Sequence, residues 1–197
     1  NYMSELFKNN TKFNQNISVW DVSKVNDMYG MFQGATGFNQ DIGIWDVGNV
    51  ITMSYLFNNA NSFNQNLGQW NISSVSDMFA MFDYSDISTE SYDATLSGWD
   101  KLHTLRNDVI FGANDKQFCQ AAQARANIKA IYGWTFNDSG KSLECDVNEE
   151  RPFITTWSVN SVNNPENEVT IPIHSEEKYG YPLTYNYTVN WGDGTID

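Results

Sequence analysis

The chain has 197 residues, of which 41% are hydrophobic and 15% aromatic, enough apolar material for one domain or two small ones. Its 24 Asp and Glu outnumber its 11 Lys and Arg, which gives a formal net charge of −13. Because all regions of the chain share this acidity, we expect no nucleic-acid partner. No run of about 18 apolar residues occurs, so we also expect no direct membrane insertion by this stretch.

Residues 1–75 consist of three nearly identical stretches of 25 residues, and a fourth begins at residue 76. A fixed period of this length is typical of a solenoid, in which each repeat buries its apolar face against its neighbours. Apolar residues that recur at the same place in each repeat are predicted to form the core. They are Met3, Met28, Met53 and Met78; Phe7, Phe32, Phe57 and Phe82; Phe13, Phe38 and Phe63; and Trp20, Trp45 and Trp70.

Each repeat is predicted to contain one short helix and one short strand. From Val25 to Phe32 the apolar residues are spaced at i, i+3, i+6 and i+7, which favours one or two helical turns. After a polar turn, the segment from Phe38 to Trp45 is rich in aromatic and β-branched residues, which favours extended backbone. The predicted fold over residues 1–83 is therefore an α/β solenoid resembling a leucine-rich repeat.

Polar positions in the repeats are either constant or variable. The constant Asn14, Asn39 and Asn64 have two interpretations: a ladder of side-chain amides that satisfies backbone groups, or a polar binding row. The ladder is favoured, because identical residues suit identical backbone positions. Variable positions are then the better candidates for ligand binding. These candidate binding residues are Asn16, Ser18, Asp41, Ile44, Asn66 and Gln69, with Tyr29, Tyr55 and Phe79 on the predicted helical segment.

Residues 84–150 depart from the period and are predicted to form an α/β cap over the end of the solenoid. Tyr92, Leu96 and Trp99 lie at i, i+4 and i+7, which indicates a helix. A strand is predicted at residues 109–111, where three apolar residues follow one another.

A second helix of the cap is predicted from about residue 116 to residue 132. Asn114 and Gln117 have the spacing of a capping box at its start. Gly133 is the residue type that commonly ends a helix. The final strand of the cap is predicted at residues 134–136.

Cys119 and Cys145 are the only two cysteines. We expect a disulfide between them, closing a loop of about 26 residues, stabilising the fold by roughly 3 kcal/mol and indicating an oxidising compartment. The alternative is two unpaired thiols. No Cys-x-x-Cys motif occurs, and His103 and His174 are far apart in sequence, so no zinc site is predicted.

The repeat motif resembles that of a known family. Met-x-x-Met-Phe, followed by Phe-Asn-Gln-Asp-Ile and Trp-Asp-Val, is similar to the repeat of BspA-like surface proteins, a lipoprotein-type leucine-rich-repeat family. The resemblance continues from Ser88 to Trp99 and from Phe118 to Trp134, and so covers about residues 1–146. It implies a cell-surface or secreted protein with a role in adhesion or protein recognition and no known enzymatic activity. It supplies no defined ligand residues.

Residues 151–197 have a different character, with three predicted strands of alternating apolar and polar residues. The motif from Trp191 to Thr195 resembles a turn of polycystic-kidney-disease-type β-sandwich modules. Three strands without a partner sheet would form a partial all-β tail with exposed edges. We expect either that another copy of the chain completes this tail or that the tail rests on its own cap.

The sequence contains no arrangement that predicts catalysis, a metal ion or a cofactor, since neither histidine belongs to a motif that would support a nucleophile. The expected function is adhesion or protein–protein recognition, outside the cell or at its surface. Its partner would be a protein or glycan on another surface. Two alternatives remain open: a carbohydrate-binding module, and a structural subunit of a stalk or filament assembled through residues 151–197.

Overall fold

The computed structural model of the chain describes residues 2–143 and 145. These residues belong to the first of two units into which the chain divides, Asn1–Pro152 and Phe153–Asp197. The predicted β tail, residues 151–197, lies outside the described residues.

The repeats lie side by side in sequence order, joined by their backbones. At four alternate positions of each of repeats 1 to 3, the N–H group donates a hydrogen bond to a carbonyl of the next repeat. The N–H of Phe32, for example, donates to the carbonyl of Leu56 over 3.0 Å. Because the same register is kept throughout, residues 25 positions apart meet as parallel single-residue bridges. These bridges join, in turn, Tyr2, Asp27, Thr52 and Asp77.

The short helix predicted for each repeat is not formed; consecutive tight turns take its place. In repeat 2, the N–H groups of Met31, Gln33 and Ala35 donate to the carbonyl three residues earlier. Gly30 and Gly34 have left-handed backbone, with φ of 55° and 67°, which interrupts a right-handed helix. The N–H groups of these glycines donate to the next repeat instead. The apolar spacing that predicted a helix is equally compatible with turns that point the same residues inward.

The strand predicted from Phe38 to Trp45 is also not formed, and the described residues before Thr89 contain only isolated bridges. Side chains close local turns in this segment, as when the N–H of Gly43 donates to Oδ1 of Asp41 over 2.9 Å. Short polar side chains of this kind compete with strand pairing for backbone donors. The prediction of one helix and one strand per repeat is therefore wrong in its local detail.

The aligned apolar residues form the core, as predicted. Phe32 and Phe38 are fully buried, and their rings stack with centroids 3.9 Å apart. Each ring also packs on its counterpart in the next repeat, with Phe32 and Phe57 5.7 Å apart. In repeat 1 the burial is less complete, since only one neighbouring repeat covers it among the described residues. Met3, Phe7 and Phe13 are partly buried there, and Trp20 is 38% exposed.

The cap consists of four elements in chain order. They are α1 (Thr89–Trp99), β1 (Ile110–Gly112), α2 (Ala122–Tyr132) and β2 (Thr135–Asn137). Strands β1 and β2 are parallel, with Phe111 opposite Phe136. Met78 of the fourth repeat forms a parallel bridge with Phe111, so the side-by-side arrangement of the repeats continues into the cap.

The first helix and both strands of the cap were predicted correctly to within a few residues. Tyr92, Leu96 and Trp99 form the buried face of α1, and Ser88 caps its start by accepting a hydrogen bond from the N–H of Ser91. Burial of this stripe against the repeats accounts for the position of the helix.

The predicted start of α2 is wrong, although its end at Gly133, with φ of 70°, is confirmed. The helix begins at Ala122, and Asn114 and Gln117 form no capping box because they precede it by several residues. Asp93 of α1 supplies the cap from a distance. Its carboxylate accepts hydrogen bonds of 2.8–3.0 Å from the N–H groups of Cys119, Gln120 and Ala121.

The predicted disulfide between Cys119 and Cys145 is confirmed, and the alternative of two unpaired thiols is excluded. The two Cα atoms are 5.3 Å apart, within the usual range for a disulfide. The bond ties the segment before α2 to the segment after β2.

Candidate functional site

The constant asparagines form the predicted ladder. Oδ1 of Asn14 accepts a hydrogen bond from the N–H of Asn39 over 3.0 Å, and Oδ1 of Asn39 accepts one from Asn64 over 2.9 Å. Asn64 continues the ladder to the N–H of Ser88 over 2.9 Å. Since these side chains satisfy the backbone of the adjacent repeat, they are structural rather than a polar binding row.

Three of the candidate binding residues have a structural contact of their own. Oδ1 of Asn16 accepts from the N–H of Ser18 over 2.9 Å, which places both of these candidates in one turn. Asp41 and Asn66 make the equivalent contact to a glycine two residues later, over 2.9 and 2.8 Å. The signal for this role was present in the sequence, because Asn or Asp two residues before Ser or Gly favours such a turn.

A surface groove of about 460 Å³ brings four of the candidates together. We call it the Ile44 groove, after its most exposed apolar residue, of which 75% is accessible to solvent. The groove does not include Asn16 or Ser18. Its lining residues are Asp41, Gly43, Ile44, Trp45, Gln65, Asn66 and Gln69.

The three aromatic candidates form a second cluster, which we call the aromatic row. The Tyr29 and Tyr55 rings meet edge to face with centroids 5.6 Å apart, and those of Tyr55 and Phe79 meet in the same way at 5.4 Å. Tyr29 is 38% exposed and Phe79 45% exposed. The row therefore runs across repeats 2, 3 and 4 and presents aromatic surface to solvent.

Two carboxylates flank the aromatic row. Oδ1 of Asp27 accepts a hydrogen bond from the N–H of Tyr29 over 2.8 Å. Oδ1 of Asp77 accepts one from the N–H of Phe79 over 3.2 Å. These bonds hold each carboxylate beside the backbone of an aromatic residue of the row.

Tyr55 has a left-handed backbone, with φ of 59°. The corresponding position in repeat 2 is Gly30, with φ of 55°, and glycine adopts this conformation without a steric penalty. For a bulky residue the conformation costs on the order of 1–2 kcal/mol. The same conformation recurs at Glu5 and Ala80, the corresponding positions of repeats 1 and 4, so it belongs to the turn that each repeat makes.

Charge across the repeats is predominantly negative. Residues 1–83 contain seven Asp and Glu and three Lys. One of those lysines, Lys8, pairs with Glu5, and the hydrogen bond between them raises the pKa of Lys8. Hydrogen bonds from Ser23 lower the pKa of Asp21, which keeps that carboxylate ionised. Residues 1–83 therefore contain more carboxylates than there are lysines to neutralise them.

A polar cluster in the cap is structural. Asp138, whose side chain is 1% exposed, accepts hydrogen bonds of 2.8 and 2.9 Å from the Arg125 guanidinium. The hydroxyl of Tyr92 donates to the same carboxylate over 3.0 Å. Burial, together with the nearby charge of Asp138, raises the pKa of Tyr92 well above its usual value. The Arg125 guanidinium also lies over the rings of Phe118 and Phe136, 5.1 and 4.7 Å from their centroids.

Within residues 2–143 and 145, no group of three or more His, Cys, Asp or Glu side chains is placed to hold a metal ion. In the same part of the chain, no helix has both the length and the apolar character needed to cross a membrane. His103 is exposed, and His174 lies outside the described residues.

Comparison with known proteins gives one match. No curated protein and no solved structure matches the chain. A family model, described as Mycoplasma protein of unknown function, DUF285, matches residues 1–99, which include the repeats and α1. This family is associated with BspA-like proteins. Because the match covers half of the chain, the chain belongs to the DUF285 family.

Proposed function

We propose that the chain is a recognition module of a secreted or cell-surface protein and that it binds a partner protein through the aromatic row. In this proposal the stacked repeats are a leucine-rich-repeat-like solenoid of the BspA-like type, closed by the α/β cap. The β-sandwich-like module predicted for residues 151–197 lies outside the described residues and stays a prediction from the sequence. The association of the family with BspA-like proteins supports this assignment, as does the disulfide, which is typical of oxidising compartments.

The exposed aromatic row is the observation that carries the proposal. Tyrosine and phenylalanine are enriched at protein interfaces relative to the rest of the protein surface. In repeats 2 to 4 the other repeated aromatic residues, such as Phe32 and Phe57, are buried. Tyr29 and Phe79 occupy a position at which repeat 3 has Ser54, so the core does not require an aromatic residue there.

An adhesion assay tests this function. Fluorescent beads coated with the purified chain are applied to cultured epithelial cells, and the bound beads are counted. Beads coated with the double variant Tyr29→Ser, Phe79→Ser should lose most of the adhesion. Protease treatment of the cells before the assay should remove it as well, since the proposed partner is a protein.

The matched control is Tyr84→Ser, which removes a 56% exposed tyrosine outside the row. This variant should adhere like the unmodified chain. Equal adhesion by beads carrying the double variant and the unmodified chain would show that the row is not the binding surface.

Carbohydrate binding is the second candidate function, and the Ile44 groove favours it. The groove combines amide and carboxylate groups from Asp41, Asn66 and Gln69 with the apolar side chain of Ile44. Such a mixture of a few polar groups with apolar surface is typical of small-ligand sites. A glycan array tests this candidate: Ile44→Ser and Gln69→Ala would reduce glycan binding, whereas Tyr55→Ala would do so only if the sugar stacks on the aromatic row.

Assembly into a stalk or filament is the structural alternative. It would depend on residues 151–197, which would add strands to the corresponding residues of another copy. Light scattering over a range of protein concentrations tests it, since strand exchange predicts a mass that rises with concentration. A constant monomer mass would exclude this alternative.

A further inference from the structure

We infer that the aromatic row binds a basic segment of the partner, with an arginine side chain of that segment held between the rings and the flanking carboxylates. This inference rests on the proposed function, because it names the chemistry of the partner at the same surface.

The charge around the aromatic row favours a positively charged ligand. Asp27 and Asp77 each use Oδ1 for a backbone N–H, and no ion pair connects either carboxylate to a cation among the described residues. Their negative charge is therefore available to a ligand. Aromatic rings attract cations through their negative faces, and guanidinium groups are the commonest partners in proteins.

The cap of this chain already contains an arginine held by aromatic rings and a carboxylate. Arg125 lies over two aromatic rings and is held by the carboxylate of Asp138. Tyr29 and Phe79 provide rings on an exposed surface, and the carboxylates of Asp27 and Asp77 lie against their backbone N–H groups. A planar guanidinium suits this combination better than a lysine ammonium, because it can stack on a ring while it donates to a carboxylate.

The electrostatic field of the whole protein also favours a basic segment. A net charge of −13 attracts a basic segment and repels an acidic one, which raises the association rate with the former. The field alone does not select a site, so the aromatic row would supply the position at which the basic segment is bound.

A peptide-binding measurement tests the inference. The probe is a fluorescent eight-residue peptide of alternating Arg and Gly, compared with a peptide in which every arginine is replaced by uncharged citrulline. Binding is followed by anisotropy at moderate salt. The unmodified chain should bind the arginine peptide at least about ten-fold more tightly than the citrulline peptide.

Variants distinguish binding at the aromatic row from attraction by the overall negative charge of the protein. Tyr29→Ser with Phe79→Ser leaves the net charge unchanged and should weaken binding of the arginine peptide about ten-fold. Asp27→Asn with Asp77→Asn should weaken it by a similar factor. The control, Asp21→Asn with Asp46→Asn, removes the same charge from turns outside the row and should change the dissociation constant less than about two-fold.

Three outcomes would overturn the inference. One is an unchanged affinity in the ring variant, and another is equal weakening by the two pairs of Asp→Asn variants. The third is failure of the arginine peptide to bind while beads still adhere through the aromatic row; in that case the proposed function stands and only the basic partner is wrong. If the peptide does not bind and the ring variant adheres normally, both proposals fail.

Discussion

Nε1 of Trp99, at the end of α1, donates a hydrogen bond to the carbonyl of Leu67 over 3.0 Å. This bond reproduces, in the cap, a contact that the repeats make with their tryptophans. It connects the aromatic residue of one layer to the backbone of the layer before it, so the cap continues the packing of the repeats. The corresponding pairs are Trp45 with Ile17, Trp70 with Ile42, and Trp134 with Arg106.

The first prediction concerns this bond. Trp99→Phe should lower the free energy of unfolding by about 2–3 kcal/mol, because it removes a buried hydrogen bond to the Leu67 carbonyl and opens a cavity. The Leu67 carbonyl keeps the hydrogen bond that it accepts from the N–H of Trp70. Urea unfolding measures the change. Trp20→Phe is the control: Trp20 is 38% exposed, and its replacement should cost less than about half as much. Equal costs would show that the hydrogen bond and the burial of Trp99 contribute little.

The second prediction concerns the left-handed backbone in repeat 2. Gly30→Ala should destabilise the chain by about 1–2 kcal/mol, because alanine at φ of 55° brings its Cβ close to a carbonyl oxygen. The added Cβ would also lie 3.3 Å from Oε1 of Gln33. Gly48→Ala is the control, since that glycine has no positive φ and its neighbours there are side-chain atoms. Thermal unfolding of both variants measures the two effects. A Gly30→Ala variant as stable as the unmodified chain would contradict the prediction.

The core of the repeats could be predicted from the sequence because it depends on which residues recur. The local backbone could not, since apolar residues at Met28, Met31 and Phe32 point inward equally well from a helix or from successive turns. The two glycines of this segment, Gly30 and Gly34, indicated the turns. In the other repeats glutamate, tyrosine, alanine or asparagine takes the same conformation, which weakens that signal.

The continuation of the packing into the cap was missed for a related reason. Trp99 and Trp134 make the same kind of contact as Trp70. The helices α1 and α2 lengthen the spacing between these tryptophans, so the fixed period of 25 residues ends at residue 83. The role of Asp93 could not be found from local sequence at all. Its carboxylate caps N–H groups 26–28 residues away, which only the packing of the two helices brings together.

The candidate site was predicted in part. The sequence singled out Tyr29, Tyr55 and Phe79 as variable positions, and the structure brings them into contact. It did not indicate Asp27 and Asp77 as their neighbours. Both lie at a position where Tyr2 and Thr52 occur in the other repeats, and their relation to the rings depends on the turn that each carboxylate closes.

The third prediction concerns the cap of α2. Asp93→Ala should lower the free energy of unfolding by about 2–4 kcal/mol, because three N–H groups, of which that of Ala121 is buried, lose their acceptor. Asp93→Asn retains one acceptor oxygen and should cost about half as much. Asp86→Ala, at an exposed position, should be nearly neutral. Urea unfolding of the three variants checks this order, and any other ranking would argue against a capping role.

The fourth prediction concerns the disulfide. Replacing Cys119 and Cys145 with serine together should lower the free energy of unfolding by roughly 3 kcal/mol, since the unfolded chain regains the freedom of a loop with a sequence separation of 26. A reducing agent should lower the unfolding midpoint of the unmodified chain to that of the double variant and leave the double variant unchanged. If the reducing agent affects both proteins equally, the effect does not come from this bond.

The last prediction concerns pH and Tyr92. Because burial raises the pKa of Tyr92 in the folded chain, the folded state keeps the phenolic proton that the unfolded chain releases near pH 10. The stabilising contribution of the neutral hydroxyl is complete below that pH. Above it the free energy of unfolding should fall by up to about 1.4 kcal/mol per pH unit, until the folded state also releases the proton.

Urea unfolding at about pH 8 and about pH 11 measures this slope. Tyr92→Phe should reduce the difference between the two values, at the cost of about 1 kcal/mol at the lower pH for the lost hydrogen bond to Asp138. Tyr84→Phe, at an exposed tyrosine, should keep the slope of the unmodified chain. A slope that survives Tyr92→Phe would assign the alkaline loss of stability to other groups. The slope therefore reports directly on whether the hydroxyl of Tyr92 stays buried against Asp138 in the folded cap.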